Sequence, residues 1–548
     1  MSKTFHVILR QLVAPAGEGE TRLAARAAER IGCAPEDIVA CHPVRRSIDA
    51  RRRRGKAVNV YHVWLELPNR LRRDLRKATH LDVVFESGGP NLKLNLTDPH
   101  PEPGQVRPLV VGAGPAGLFA ALRLARAGWK PFLVERGDAV ERRRNVIADF
   151  WRHGTLDPES NVLFGEGGAG LFSDGKLNTR HKDREGMAAI LANLIEAGAP
   201  ESIAIEAEPH VGSDLLGDVV SNILREIRSL GGEVRHRTRL EKVVAEGGRL
   251  RGAVVTANGT TEMIRTDACI LATGHSARDL YEELHAAGIP LESKPFAMGL
   301  RVEMPQEAID ASQRRDRMRS ESRQAASFRL TRAPEGPNGA CYTFCMCPGG
   351  MVIPCASEPG RLAVNGMSYH ARAGEWGNAA FLTPVTEDDF ADFADAPPVL
   401  RGLALQRHWE EKAWLAGRIG GDYAVPASSL ADFVRGVGTG LPCRRGVIRA
   451  TAADLRQLLP VHMGETLAAA IPAMLAKMRA VRPEDVVLYA IETRTSSPVR
   501  ISREASGEST GCSGLFPAGE GSGYAGGIMT SALDGWKAAD RLMHSHAL

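Results

Sequence analysis

At 548 residues, with 43% apolar and 24% charged side chains, the chain has the make-up of a globular protein needing two or three cores. Its net charge of +4 is small for that length and says little about partners. Nine cysteines without regular spacing exclude a secreted disulfide scaffold, and no apolar run approaches the roughly 20 residues that span a bilayer. Met1 to Pro15 lacks a long apolar core and a small-residue cleavage pattern, so no signal peptide and a cytoplasmic location are expected.

Residues 1–95 read as a separate α+β domain, with a strand at Phe5 to Leu9, a helix at Glu20 to Ile31 and β-like stretches at Asp37 to Ser47 and Ala57 to Leu67. In the last stretch neither alternating face is purely apolar. The intervening turn carries Arg45, Arg46, Arg51, Arg52, Arg53, Arg54 and Lys56. Such a tip can contact nucleic acid or phosphate, but aromatic residues for base stacking are scarce beside it. A solvated or clamping hairpin is therefore expected, and nucleic acid is not the expected partner. Residues 96–107 form a linker, since Pro99, Pro101, Pro103 and Gly104 sustain neither helix nor sheet.

An apolar run, Pro108 to Val111, leads into Gly112-Ala113-Gly114-Pro115-Ala116-Gly117, then a helix over Leu118 to Ala127 and a strand ending at Glu135-Arg136. This strand–turn–helix–strand unit, with an acid about 20 residues past the first glycine, is the pattern of dinucleotide binding. Gly112 permits the turn, Gly114 lets backbone approach a pyrophosphate, and Gly117 lets helix and strand pack. The helix start offers N–H groups to phosphate, and Glu135 is placed to bond a ribose. A glycine-rich loop follows at Phe164 to Leu177, including Gly167, Gly168 and Lys176. Next come a helix at Asp214 to Leu230, a strand at Glu233 to His236, and a meander through Leu240 to Ala245 and Leu250 to Thr256. Ala268 to Leu271 then runs into Ala272-Thr273-Gly274-His275.

From residue 291 to 487 the dinucleotide pattern disappears. Strands at Met351 to Pro354 and Leu362 to Asn365 mix with helices at Thr451 to Leu459 and Thr466 to Arg479, the second of which Pro472 should break or kink. Cys341, Cys345, Cys347 and Cys355 are spaced C-x3-C-x-C-x7-C, which fits neither a zinc knuckle nor a ferredoxin run, so no metal is assigned. They can be small packing residues beside Pro348-Gly349-Gly350, or Cys345 and Cys347 can be a redox pair. Arg494 and Arg500 bracket a Thr/Ser run where arginine can hold a substrate carboxylate, a phosphate or an interdomain acid. Arg301 offers the same choice. Lys176 and His275 are candidates for chemistry, as surface and capping positions respectively if they have none. A strand, Gly514 to Ala518, then meets Gly519-Glu520-Gly521, and a helix opens near Gly526-Gly527-Ile528.

The segments around Gly112–Gly117, Thr273–Gly274 and Gly519–Ile528 resemble flavoproteins of the glutathione-reductase type, and the loop Phe164 to Leu177 resembles their amino-acid-oxidase-like branch. With Phe344 to Gly350 and Glu492 to Arg500, nearly the whole chain is similar to a family of FAD-dependent dehydrogenases of bacteria and plastids. The resemblance implies FAD, with Glu520 on the ribityl chain and the helix start at Gly526, Gly527 and Ile528 facing the flavin pyrimidine. It also implies cofactor contacts at Pro115, Ala116, Arg136, Gly167, Gly168, Lys176 and Gly519. Met304 stands where the resemblance leads one to expect histidine, so no catalytic role is carried to it.

The expected fold is α/β: a discontinuous Rossmann-like FAD-binding domain (108–290 and 488–548) with an inserted α+β cap (291–487) and the small N-terminal α+β domain. The expected activity is an FAD-dependent dehydrogenase or reductase exchanging hydride with a small organic substrate, with Cys345, Cys347, Arg494 and Lys176 as candidate catalytic residues. A flavin monooxygenase or oxidase, and an FAD-containing RNA- or protein-binding factor, are the alternatives. A second dinucleotide turn is missing, since Gly436 to Gly440 lacks strand and helix context, so NAD(P)H would dock only transiently.

Overall fold

The computed structural model describes residues 3–15, 18–49, 58–86, 101, 107–179, 181–313, 325–335, 339–441, 446–447 and 449–546. Arg51 to Arg54, Lys56 and nearly all of the expected linker lie outside the described residues. The chain falls into two compact units.

One unit comprises Met1–Asn95, Arg180–His210 and Gln313–Gln324. Its antiparallel sheet has the order Ala40–Asp49, Val58–Pro68, Thr4–Pro15, Val83–Glu86. Phe5, Val7 and Leu9 alternate into the core, then a bulge at Gln11 (φ +56°) lets Leu12 and Ala14 resume on the same face. Tyr61, Val63, Leu65 and Leu67 complete that core against Leu23 and Ala27 of the helix Leu23–Ile31. The opposite face of the same strand is half covered, with Trp64 stacked on His6 at 4.8 Å, which explains its mixed alternation. Arg46 pairs with Glu206 at 3.2 Å within this unit.

The second unit holds a five-stranded, wholly parallel sheet in the order Leu515–Pro517, Cys269–Leu271, Leu109–Val111, Phe132–Val134, Glu233–Arg235. The first four are continuous short runs buried on both faces, as parallel strands covered by helices must be. The chain turns at Gly112 (φ +100°) into the helix Pro115–Arg126, whose Gly117 lies so close that a Cβ would meet Gly112 O at 1.8 Å. This is a Rossmann-like domain. A meander of Thr238–Glu246, Arg249–Ala257 and Thr260–Arg265 is added to it.

A seven-stranded mixed sheet follows in the order Thr331–Arg332, Cys341–Cys347, Trp376–Pro384, Ala297–Pro305, Val487–Glu492, Val425–Ser429, Ala450–Ala452. Val487–Glu492 is therefore a cap strand, and the expected return to the FAD domain at 488 shifts beyond Glu492. Two helical expectations need correction. Ala450–Ala452 is a strand and Leu455–Leu458 one short turn, so there is no helix from Thr451 to Leu459. Pro472 lies inside its helix and does not break it, and that helix runs from Val461 to Leu475 rather than from Thr466 to Arg479. The helix Arg401–Gly417 was not expected, because its buried stripe contains Gln406 and Glu410 and so reads as polar. Met304 is wholly buried in the cap core, where its thioether packs and an imidazole would need a partner.

Gly117→Ala is expected to destabilise the fold at the upper end of the about 1–3 kcal/mol cost of overpacking. Gly440→Ala, with nothing within 4 Å of its would-be Cβ, should stay within about 0.5 kcal/mol of wild type. Urea midpoints of the two variants measure the difference; equal midpoints would remove the packing role of Gly117.

Candidate functional site

The helix Pro115–Arg126 begins with Pro115 at its first position and Gly114 extended before it, so its N-terminal N–H groups point out of the sheet. The Phe164–Leu177 loop crosses that helix start. Gly167 N donates to Ala113 O at 2.8 Å, and a Cβ on Gly168 would come within 2.9 Å of Gly114 Cα. Two buried charges shape this crossing. Glu135, 6% exposed, accepts from Ala113 N (2.7 Å), Gly137 N (2.9 Å) and Gly165 N (2.9 Å). Its carboxylate thus ties three loops together, and three of its roughly four acceptor sites are taken before any ribose is considered.

Arg143, fully buried, was missed by the sequence reading. Its Nε donates to Asn161 O at 2.9 Å and Nη2 to Val162 O at 2.9 Å, while Nη1 reaches Glu166 O (2.8 Å), Gly168 O (2.9 Å) and Gly165 O (3.3 Å). Burial lowers this guanidinium to about 10 against the pull of Glu135 and Glu166, so it stays charged at neutral pH. Its helix, Val140–His153, buries Val140, Arg143, Ile147 and Phe150. A cation in an otherwise apolar helical stripe was the available signal. Arg136 stands nearby over the Phe164 ring at 4.1 Å and pairs with Glu159 at 3.0 Å and Asp279 at 3.2 Å, so its charge is already matched by protein acids.

Across the sheet, the strand Cys269–Leu271 ends in Thr273-Gly274-His275, and Leu515–Pro517 ends in Gly519-Glu520 ahead of the helix Ile528–His546. Gly274, Gly526 and Gly527 have nothing within 4 Å where a side chain would begin. They outline an open cradle. Beside it His275 Nδ1 lies 3.8 Å from Glu520 Oε2, and His275 Nε2 is buried with no partner. Burial, then Arg494 and Arg278, lowers the imidazole to about 3, so it is neutral at physiological pH. Burial pushes the Glu520 carboxyl up to about 7, with Lys294 and the Gly527 N–H opposing. Ala116 backs Gly519, since a Cβ there would meet the Ala116 Cβ at 2.7 Å, and Ile528 packs against Gly170.

Arg494 does not have a free guanidinium for substrate. Its Nε and Nη2 grip Glu410 at 2.9 and 2.7 Å, and Nη1 donates to Ser357 Oγ at 2.7 Å. Arg278 holds the same carboxylate at 2.7 and 2.9 Å, and Thr493 Oγ1 donates to it at 2.6 Å. Burial alone would raise Glu410, but the two guanidiniums hold it well below the usual carboxylate range. Arg494 is thus part of a buried ion network joining the segment after Glu492 to the helix Arg401–Gly417, which is the acid pairing among its expected alternatives. Arg301 is likewise committed, to Glu492 at 2.9 and 3.1 Å, Asn365 Oδ1 at 2.8 Å and Cys345 O at 2.9 Å. Arg500 lies over the Tyr524 ring at 5.0 Å, with Glu292 3.6 Å away.

Lys176 Nζ hydrogen-bonds Met346 O and lies 3.1 Å from Asp174 Oδ2, which Arg372 and Ser368 also hold. Burial would lower this lysine, but Cys347, Asp174 and Cys345 hold it above its ordinary value. The four cysteines do not act as a set. Burial pushes Cys341 and Cys355 up to about 12, while Cys345 and Cys347 sit together under Lys176 and Arg301. Among the described residues no group of three or more His, Cys, Asp or Glu is arranged to hold a metal ion. No helix among them is long and apolar enough to cross a membrane.

Residues 106–285 match the pyridine nucleotide-disulphide oxidoreductase family, and residues 295–495 match the FAD-dependent protein, C-terminal domain-like family. An uncharacterized protein of Clostridium beijerinckii is 42% identical over 527 residues, 95% of either chain. The chain belongs to the FAD-dependent oxidoreductase family. Residues 7–64 match a domain of unknown function. Among solved structures, the chain is similar to glycine oxidase from Bacillus cereus, with 12% identity, a TM-score of 0.30, and 80% of this chain and 95% of that one covered. It is also similar to the glycerol-3-phosphate dehydrogenase from Bacillus halodurans complexed with FAD, with 13% identity, a TM-score of 0.27 and coverage of 52% and 49%.

The site suits the family's cofactor. A helix start crossed by a glycine loop can take a diphosphate, and the open floor at Gly274, Gly526 and Gly527, with the unpartnered His275 Nε2, leaves room and a polar contact for a ring system.

Glu410→Gln should lower stability by about 3–5 kcal/mol at neutral pH, because buried Arg494 loses its counter-charge and Arg278 keeps only Glu358. Since the Glu410 carboxyl is held below its ordinary value of 4.5, its contribution is complete above that pH and lost as pH falls below it. Denaturation of both proteins from pH 7 to pH 3 should therefore show the gap narrowing on the acid side; a pH-independent gap would contradict the network.

Proposed function

We propose that this FAD-dependent oxidoreductase is a dehydrogenase or reductase that exchanges a hydride between the flavin and a small organic substrate. The observation that carries the reading is the open cradle of Gly274, Gly526 and Gly527, floored by the start of a 19-residue helix and edged by His275 and Glu520. Gly112, Gly114, Pro115, Ala116 and Gly117, with Gly167 and Gly168, would hold the diphosphate; Glu135, with Arg136 beside it, would set the loops that meet the adenosine. Thr273, Gly274, Gly519, Glu520, Gly526, Gly527 and Ile528 would hold the flavin half. Bound there, FAD supplies two-electron redox chemistry.

The chain's own residues supply position and charge. The positive end of the helix Ile528–His546 favours negative charge at Gly526 and Gly527. A carboxyl near 7 at Glu520 can take up or release a proton at neutral pH without a large driving force. Neutral His275 offers Nε2 as a donor or acceptor to a group in the cradle. Lys176, paired with the Asp174 that Arg372 also grips, donates to Met346 O in the strand Cys341–Cys347.

Gly526→Ala should fold within about 0.5 kcal/mol of wild type, since its new methyl meets no protein atom, yet hold FAD at least about ten-fold more weakly. Unchanged FAD affinity by fluorescence titration would move the flavin away from this cradle. With one dinucleotide turn and not two, anaerobic addition of one equivalent of NADH or NADPH is expected to leave the oxidised-flavin spectrum in place. Bleaching by either would replace the organic-substrate reading with a nicotinamide-linked reductase.

A further inference from the structure

Arginines on the segments that border the cradle are of two kinds. Arg494 and Arg278 share Glu410, and Arg503 grips Asp534 through both Nη atoms, at 2.8 and 3.0 Å. These guanidiniums are spent on protein acids. Arg500 is of the other kind. Its acid neighbour Glu292 lies 3.6 Å away, outside hydrogen-bonding distance, and its Nε is buried with no partner among the described residues. A planar fork of N–H donors with no carboxylate in contact is free to take one.

The ladder carrying Arg500 brings a second cation to it. Leu291–Ser293 pairs antiparallel with Val499–Ile501, with Glu292 opposite Arg500 and Ser293 opposite Val499. Lys294 continues the ladder by donating its N–H to Pro498 O at 2.9 Å. Side chains alternate across a strand, so Lys294 falls on the same face as Glu292 and Arg500. Two cations therefore share that face with one half-exposed carboxylate, which Ser502 Oγ also engages at 2.8 Å. The face adjoins the cradle. A Cβ on Gly523 would come within 2.9 Å of Arg500 Cα and Cβ, so the arginine stem lies against the turn that leads to Gly526 and Gly527. Arg500 stands over the Tyr524 ring at 5.0 Å, and Arg503 fixes that ring, stacking at 3.9 Å and donating its N–H to the hydroxyl at 3.2 Å. A guanidinium stacked on a ring keeps its N–H groups in its own plane, directed away from the platform. Burial lowers the Lys294 ammonium, with Glu520 at the cradle edge opposing.

The geometry points to Arg500 and Lys294 as the pair that binds a substrate carboxylate at the rim of the cradle, which makes the organic substrate a carboxylic acid. This rests on FAD occupying the cradle. The cofactor's own charge is served elsewhere: its diphosphate by the start of Pro115–Arg126, its ring by the start of Ile528–His546. The anion left for Arg500 and Lys294 therefore comes from the substrate. The flat fork of Arg500 sets the plane of that carboxylate by a two-point contact, and Lys294 adds a compact charge beside it. Anchored there, the rest of the substrate lies towards Gly526 and Gly527.

The test uses the FAD-loaded full chain, with propionate, succinate, their amides and inorganic phosphate as probes. Each carboxylate should shift the oxidised-flavin absorption saturably, at least about ten-fold more tightly than its amide, and more weakly as salt is raised. Arg500→Met and Lys294→Met, at unchanged FAD affinity and thermal midpoint, should each weaken the carboxylate at least about ten-fold, and Arg500→Lys should restore part of the loss. A flavin spectrum that no carboxylate moves, an amide that equals its acid, or methionine variants that bind as wild type does overturns the subsite and leaves the cofactor reading standing. Phosphate bound more tightly than either carboxylate overturns the carboxylic acid assignment. Methionine variants that lose FAD together with the carboxylate overturn it too, since Arg500 and Lys294 would then serve the cofactor. A wild-type protein that takes up no FAD overturns both readings.

Discussion

A loop built of glycine has no side chains with which to hold its own shape, so its shape must be imposed from outside. In this protein two buried charges impose it. Glu135 accepts three N–H groups from three loops, and Arg143 donates to carbonyls all along Asn161 to Gly168. Neither is matched mainly by an opposite charge; each is matched by oriented backbone dipoles. Hydrogen bonds to charged groups are the strong ones, and each such group buried here is satisfied by geometry that only the folded loops provide. The helix start, the loop crossing and the strand ends of the parallel sheet all inherit their positions from that arrangement.

The join between the FAD-binding residues and the cap uses the opposite solution. Arg278, Glu410 and Arg494 form a buried triad of side chains, extended by Glu358, Gln406 and Thr493. One carboxylate between two guanidiniums is strongly held in its charged form, and the excess positive charge adds to burial in depressing the nearby His275. The network therefore acts at a distance on the cradle: by keeping His275 neutral, it preserves Nε2 as a versatile hydrogen-bonding atom. Structural and chemical roles are joined here through electrostatics, and Arg494 contributes to the site without reaching into it.

What could be read from the sequence follows from which physics is local. The Gly-x-Gly-x-x-Gly turn, the Thr273–Gly274 strand end and the Gly526–Gly527 helix start are set by neighbours a few residues away, and the parallel sheet places all three on one side of the second unit. Arg143 and Glu410 were invisible as functional residues because their partners lie far along the chain. Their only local trace is a charge at a stripe position, 140–143–147–150 in one helix and 403–406–410–413 in the other. That trace also hid the helix Arg401–Gly417, since a polar stripe breaks the amphipathic pattern. For Arg494 an acid partner was one of three expectations, but nothing local chooses among them, because the acid lies 84 residues away.

The glycines separate what the fold requires from what only a ligand would require. A Cβ on Gly112 would meet Ala272 O at 2.4 Å and one on Gly117 would meet Gly112 O at 1.8 Å, so packing alone forbids a side chain at either. Gly274, Gly526 and Gly527 face open space, and packing gives no reason for their smallness. Gly274 and Gly527 have positive φ, which accounts for them in part, but Gly526 has not. Gly440 is as open, so room alone does not select a glycine; what sets these three apart is their place beside His275 and Glu520. In a family that binds FAD, a neutral histidine with an unpartnered nitrogen and a carboxyl titrating near 7 beside three open glycines are the grounds on which the flavin is proposed there.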